Sequence, residues 1–214
     1  GEGKMSDPKD IINILKIYFK NFKLKNKLKA IVTAGPTKEY IDPVRYISNK
    51  SSGKQGYEIA KSLSKKGFET TLISGPTNLK ELDNVKTIKV KTAKEMYEAT
   101  INSLPVDVAI FSAAVSDWKM KNFEKNKIKS ESTLNISLEK NVDILKSVSN
   151  HNSLRPKIVV GFAAETENLI DNSKKKLNEK NCDWIIANNV SDPSIGFDSD
   201  ENEITIFDKS NKME

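Results

Sequence analysis

An arginine, an asparagine and a run of hydroxyls fall within one short stretch of this chain. Residues 33–54 read TAGPTKEYIDPVRYISNKSSGK. Small residues, hydroxyls, Arg45, Asn49 and Lys50 together suit a site that lets a polyanion approach the backbone and then holds a reacting carbonyl. Arg45 is informative because, of 35 basic residues, only Arg45 and Arg155 are arginines. In a chain so committed to lysine, an arginine near an asparagine points to a planar, bidentate donor that lysine does not imitate. Ser51-Ser52-Gly53-Lys54 falls where the first long helix should begin. Free N–H groups, the positive end of a helix and two hydroxyls would cradle a phosphate, and an ordinary serine N-cap fits the same residues equally well. Lys176 and Lys180 lie one turn apart and share a helix face, as solvated surface lysines commonly do. Lys127-Ile128-Lys129 sits in a polar, helix-poor excursion after Trp118 that reads either as a mobile flap or as a solvated edge strand.

Those residues must be carried by the elements around them. Apolar runs predict strands over Lys29–Ala34, Glu69–Ser74, Thr87–Val90, Asp107–Ala113, Lys157–Phe162 and Asp183–Ala187. Helical periodicity predicts helices over Gly53–Lys66, Ala93–Leu104, Val142–Ser149 and Thr166–Asn181. Strands alternating with helices of this length predict an α/β fold, a Rossmann-like three-layer sandwich with a mainly parallel sheet and a small flap or hairpin excursion. Ile204–Phe207 reads as half of a closing hairpin. Ligands of such sheets bind outside the carboxyl ends of the strands. Five predicted strand ends carry small residues, in Ala34-Gly35, Ser74-Gly75, Ala113-Ala114, Gly161 with Ala163-Ala164, and Ala187. Each alone is an ordinary turn; together they predict one backbone-lined crevice. The start of the chain stands apart. Ile11, Ile12, Leu15, Ile17, Tyr18 and Phe22 form a helical stripe after Ser6-Asp7-Pro8, followed by a lysine-rich connector, so residues 1–27 divide from a body of 28–214.

Composition narrows the classes of function. At 214 residues the chain fits one domain with a small appendage. Its net charge of +6 brings nucleic acid into question, but acids intersperse the lysines and no aromatic RNA-binding string, zinc spacing or uninterrupted basic arm occurs. A field that attracts phosphate-bearing small molecules explains the charge as well. Cys182 is the only cysteine and His151 the only histidine, which argues against disulfides, cysteine-rich metal sites and Ser-His-Asp or Cys-His chemistry. His151, between Asn150 and Asn152, reads as an exposed loop residue. With no secretory signal or bilayer-length apolar run, a cytoplasmic location is expected.

Taken in order, these segments resemble phosphopantothenoylcysteine synthetase, the second activity of the bacterial bifunctional coenzyme A biosynthesis flavoprotein. The resemblance runs from about Lys29 to the end. It rests on residues 33–54, SAAVSDW at 112–118, GFAAET at 161–166, the K-L-x-x-K-x-x-D pattern at Lys176–Asp183, and GFDSDEN at Gly196–Asn202. Gly1-Glu2-Gly3-Lys4-Met5-Ser6-Asp7-Pro8 is similar to the end of the partner flavin-dependent decarboxylase, so residues 1–27 are expected to be its tail and a linker. FMN would belong to that decarboxylase part alone.

The resemblance implies a ligase. The carboxylate of 4'-phosphopantothenate would attack the α-phosphate of CTP, giving an acyl-cytidylate and pyrophosphate; the amine of L-cysteine would then displace CMP. Gly35, Ser51, Ser52 and Gly53 would hold phosphates, with Lys180 also on the nucleotide, and Lys176 would offset charge at the α-phosphate. Phe162, Ala163 and Ala164 would read the base edge through their backbone, with Phe197 against base or ribose. Asn49 would orient the acyl-cytidylate, and Arg45 would support Asn49 or clamp an anionic group. Ala114, Lys127 and Asn141 would contact substrate. Mg²⁺ would be carried by the triphosphate, with no protein metal ligand assigned. The resemblance also implies a homodimer whose flap closes over the partner's site.

Three positions depart from the expected pattern: Ser130 where a lysine is usual, Val142 where proline is common, and Asn189 where aspartate is common. Two other classes of function account for parts of the chain. An NAD(P)-dependent Rossmann oxidoreductase would need G-x-G-x-x-G after the first strand, where this chain has Ala34-Gly35-Pro36-Thr37. A basic nucleic-acid-binding module explains the charge but not the Arg-Asn-Ser segment. CTP rather than ATP is preferred on resemblance alone.

Overall fold

Strands of alternating outlook build a sheet buried on both sides. The structure, a computed structural model, describes residues 27–129, 134–189 and 204–210. Seven strands join in one sheet: β1 (Lys29–Ala34), β4 (Glu69–Ser74), β5 (Lys86–Lys89), β6 (Val108–Phe111), β9 (Ile158–Glu165), β10 (Trp184–Asn189) and β11 (Ile204–Asp208). Their spatial order is β5-β4-β1-β6-β9-β10-β11. All neighbours run parallel except β10 with β11, which is antiparallel. Ala30, Val32 and Ala34 of β1, with Val108 and Ile110 of β6, face one side; Ile31, Ala109 and Phe111 face the other. This period of two is what lets each strand contribute to two cores.

Four helices among the described residues cover the sheet: α1 (Lys54–Lys65), α2 (Ala93–Asn102), α3 (Ile144–Ser149) and α4 (Leu169–Lys180). Tyr57, Ile59, Ala60 and Leu63 of α1 pack on the first face. Met96 of α2, Ile144, Leu145 and Val148 of α3, and Leu177 of α4 pack on the second. The expected three-layer α/β architecture is therefore the one that forms. Helix ends differ from the periodicity for local reasons. Asn168 and Asn181 adopt left-handed backbone, φ 50° and 52°, and confine α4 to Leu169–Lys180. The pattern from Val142 yields a helix only after Asp143, whose side chain accepts from the Lys146 N–H and caps α3.

Two small hairpins complete the fold. β2 (Lys38–Tyr40) pairs with β3 (Tyr46–Ser48), and β7 (Trp118–Met120) pairs with β8 (Leu138–Lys140), both antiparallel. β2 packs beside β7. The excursion after Trp118 thus begins as a short strand and leaves it at Met120. Residues 1–26, carrying the amphipathic stripe and nearly all of the expected tail, lie outside the described residues, as do Ser130, Phe197 and the Gly196–Asn202 motif. Among the described residues no helix is long and apolar enough to cross a membrane.

Candidate active site at the switch point of the sheet

From β1 the chain winds outward through β4 and β5, and from β6 it winds the other way through β9, β10 and β11. The carboxyl ends of β1 and β6 therefore part at a topological switch point, where open α/β sheets leave a crevice. A dinucleotide site of the oxidoreductase type would place a tight glycine turn between β1 and the first helix. Here the β2–β3 hairpin occupies that connection, and the oxidoreductase alternative loses its structural basis.

The floor of the crevice is stitched between the two strand ends. Ala114 N–H donates to the Gly35 carbonyl at 3.0 Å, and Pro36 and Ala114 form an isolated parallel bridge. Thr37 Oγ1 accepts from the Ser116 N–H at 3.0 Å, and Ser112 Oγ donates to the Thr33 carbonyl at 2.7 Å. Gly35 and Gly53 both have positive φ, 74° and 78°, and a Cβ on either would come within 2.8 Å of Thr77 Cγ2. Two loops thus cross glycine on glycine. Gly35 is buried beneath that crossing and lines neither cavity described below. Gly53 itself is the residue before α1, in left-handed conformation, and no side chain caps the helix. The N-cap position thus falls to Gly53 rather than to a serine, and Ser52 Oγ stands 3.5 Å from the Lys54 N–H.

Two cavities open at the switch point. The first, about 620 Å³, is lined by residues 48–56, which run from the end of β3 into α1 and include Asn49, Ser51, Ser52 and Gly53, together with Ala114, Ala164 and Asn188. The second, about 490 Å³, is lined by Trp118, Lys140, Asn141, Asp143, Ile144 and Lys180 among others. Ala113, Val115, Asp117, Phe162 and Lys176 belong to both. One cavity carries the N-terminus of α1, with its positive dipole end; the other is flanked by lysines and an aromatic ring. Their common wall carries an ammonium.

That ammonium is tuned by its surroundings. Burial, reinforced by the like charge of Lys180, pulls Lys176 below the ordinary lysine range against the opposing influence of Glu165, Asp117 and Asp143. Lys180 is tied by ion pairing to Asp143, the capping residue of α3. The lysine pair is therefore not solvated surface. Lys176 faces both cavities, and Lys180 links α4 to α3 at the edge of the second.

The amides have defined partners. Asn49 Nδ2 donates to the Val115 carbonyl at 3.0 Å and lies 3.4 Å from the Ala114 carbonyl. Asn141 Nδ2 donates to the Ser116 carbonyl at 2.9 Å, and its N–H to Asp117 O at 2.8 Å. Both tie surrounding loops to the 113–117 segment.

The β9 edge supplies main-chain groups. The β6 ladder stops at Phe111–Gly161 while β9 runs on to Glu165 beside β10. Ile158 N–H points to Asp107 on the β6 side, and the Val159 carbonyl points to Asp183 on the β10 side. By the strand period, the main-chain groups of Ala164 open on the crevice and those of Ala163 face β10. Ala163 is also fully buried in the second core. Of the expected Phe162-Ala163-Ala164 trio, the outer two are at the crevice.

Arg45 and Lys127 stand elsewhere. The Arg45 guanidinium pairs with Asp42 and donates to the Ile128 carbonyl at 3.1 Å. No Arg45–Asn49 bond forms, because the buried Asp42 carboxylate competes for the guanidinium. Lys127 lines a separate hollow of about 420 Å³ with Ile41, Met120 and Ile136. Sequence reasoning missed Asp117, Lys140, Asp143 and Asn188 as crevice residues and Asp42 as the partner of Arg45. Asp117 and Asn188 follow predicted strand ends, the one signal that points to them. Cys182 is buried, its thiol pushed up to about 11 by desolvation, and His151 Nδ1 accepts from the Leu154 N–H in a turn. Neither lines either cavity.

Known proteins are similar to this chain in sequence and in fold. The chain is 44% identical over 212 residues to the coenzyme A biosynthesis bifunctional protein CoaBC of Haemophilus influenzae, covering 98% of this chain and 52% of that protein. It thus spans about half the length of the curated relatives it matches. The crystal structure of the C-terminal domain of a CoaBC protein superposes with a TM-score of 0.73 at 38% identity, covering 87% of this chain and 84% of that one. A Cab2 H337A variant in complex with phosphopantothenate-cysteine shares the fold, with a TM-score of 0.70 at 17% identity, covering 97% and 84%. Residues 25–214 match the DNA/pantothenate metabolism flavoprotein C-terminal domain, and the chain belongs to that family.

Proposed function

We propose that this chain joins 4'-phosphopantothenate to L-cysteine through an acyl-cytidylate made from CTP. The observation that carries the reading is the wall shared by two cavities, with Lys176 in it. A two-substrate activation needs a nucleotide and an acid to enter from different sides and meet at one phosphorus atom. The α1 N-terminus with Ser51, Ser52 and Gly53 suits the polyphosphate, and the main-chain edge at Ala164 suits a base. The cavity flanked by Lys140 and Asn141 suits a phosphorylated acid, and Lys180, expected on the nucleotide, lines this cavity and not the one at the α1 N-terminus. Its carboxylate oxygen forms the new P–O bond, pyrophosphate leaves with the electron pair of the broken bond, and Lys176 stabilises the charge that builds at the α-phosphate. The cysteine amine then forms the amide bond at the acyl carbon, CMP leaves, and the amine loses a proton.

Asn49 is read as orienting that second step: its Nδ2 donates to the Val115 carbonyl, which supports a role for the carbonyl end of the amide in accepting from the attacking amine. Mg²⁺ fits this site as part of the nucleotide–metal substrate, with Asp117 the carboxylate of the shared wall. A homodimer fits the exposed apolar residues Val44, Tyr46, Phe123, Ile136 and Leu138 on and beside the two hairpins. Residues 1–27 are read as the tail of a decarboxylase part and its linker. The test is direct: with CTP, Mg²⁺, 4'-phosphopantothenate and L-cysteine, mass spectrometry should detect the cysteine adduct and CMP. A folded protein that makes neither would overturn the reading.

A further inference from the structure

The basic segment 127–129 is fastened to the β2–β3 hairpin by one carboxylate whose two oxygens have separate tasks. The Asp42 side chain is fully buried. Its Oδ1 accepts from the Val44 and Arg45 N–H groups, both at 2.8 Å, closing the turn. Its Oδ2 accepts from the Ile128 N–H at 3.2 Å and pairs with Arg45 Nη1 at 3.2 Å. Arg45 Nη2 completes the bracket by donating to the Ile128 carbonyl at 3.1 Å. Both main-chain polar groups of Ile128 are thus taken by one ion pair from a distant hairpin. Burial opposes a charged Asp42, but its N–H donors and Arg45 outweigh that and hold the carboxyl below the usual carboxylate range.

We propose that Asp42 and Arg45 form a positioning latch that acts through the main chain of Ile128 to set where Lys127 and Lys129 stand during the reaction. An ion pair with one buried partner is a poor device for stability alone, since the desolvation of the Asp42 carboxylate offsets its attraction to the half-exposed Arg45. It is a good device for geometry. Only a planar fork reaches a carboxylate and a carbonyl at once, which accounts for an arginine in a chain of lysines. The tethered stretch needs such a device: Lys121, Lys125, Lys127 and Lys129 all lie where no helix or strand forms. Lysines that meet a phosphorylated substrate act only as well as their backbone is placed. The latch is read from geometry; its bearing on catalysis rests on the ligase reading above.

Asp42→Asn separates the two tasks. It keeps an oxygen for Val44 and Arg45 and replaces the other with an amide that does not accept from Ile128. In hydrogen-exchange mass spectrometry of the whole chain, peptides covering 121–129 should exchange about tenfold faster or more, while β1 and β9 keep their protection. Arg45→Lys, which keeps charge without the fork, should do the same. In ligase assays Asp42→Asn should lower kcat/KM about tenfold, and that loss should vanish in a Lys127→Ala/Lys129→Ala background. Unchanged exchange over 121–129 overturns the latch. An activity loss that persists undiminished without the two lysines overturns its positioning role. A parent chain with no ligase activity would sink the ligase reading alone, and the latch would still stand or fall on the exchange rates.

Discussion

Asn49 Nδ2 donates to the Val115 carbonyl at 3.0 Å and so ties the loop before α1 to the loop after β6 across the switch point of the sheet. One side-chain amide joins the segment that would hold nucleotide phosphates to the segment that forms the common wall of both cavities. Orientation of the amide is therefore inherited from the fold.

Replacing that amide should split the reaction. Asn49→Asp turns a donor into a carboxylate oxygen facing two carbonyls, so the group swings away and no longer orients the acyl-cytidylate. Pyrophosphate release should persist while formation of the cysteine adduct falls by about 10²-fold. Rapid-quench measurement of both products separates the steps; normal adduct formation would remove Asn49 from the second one.

Lys176→Gln should instead cripple activation. The glutamine is one atom shorter and carries no charge, and loss of a preorganised charged donor at a developing charge lowers kcat by roughly 10²–10³. Single-turnover pyrophosphate release reads this step, and an unchanged rate would count against the assignment.

The protonation of Lys176 gives a prediction with a definite sign. Its ammonium sits below the ordinary lysine range because of burial, so in the free protein the charge is lost at lower pH than for a solvated lysine. Bound triphosphate restores the charge. Nucleotide binding should therefore take up protons at alkaline pH, between the free and bound values, and calorimetry in buffers of different ionisation enthalpy should detect it. For stability the sign is opposite to that of a salt-bridged lysine. The unfolded chain binds more protons above the folded value, so the cost of burying the charge fades as pH rises. Proton release on nucleotide binding would contradict this.

Much of this arrangement is legible in the chain, and the remainder is hidden for physical reasons. β1 and β4 coincide with their apolar runs because both faces of those strands are buried. β2, β3, β7 and β8 have three residues each, too few for a period of two to show. Which residue of Ser51-Ser52-Gly53-Lys54 holds the N-cap position was not legible, since it turns on the left-handed φ of Gly53 at its crossing with Gly35 and Thr77. Arg45 was conspicuous, but its partner Ile128 lies 83 positions away. Only the packing of two hairpins brings them together.

The second arginine should behave as a structural residue. Arg155 donates to the carbonyls of Ser149, Pro156 and Asn181 and to both oxygens of Asp183. It binds the ends of α3 and α4 to the start of β10, at the edge of the sheet opposite the crevice. Arg155→Ala should cost about 2 kcal/mol or more in denaturant unfolding and leave kcat of the remaining folded protein unchanged. A kinetic defect without loss of stability would show that this edge communicates with the site.

The most direct measurement is pyrophosphate release from Mg²⁺ and 4'-phosphopantothenate, comparing CTP with ATP, before and after addition of L-cysteine. Release with CTP in the absence of cysteine, followed by CMP and the cysteine adduct only once cysteine arrives, is the expected result. No release with either nucleotide from a folded sample would contradict acyl-nucleotide chemistry at the Lys176 wall.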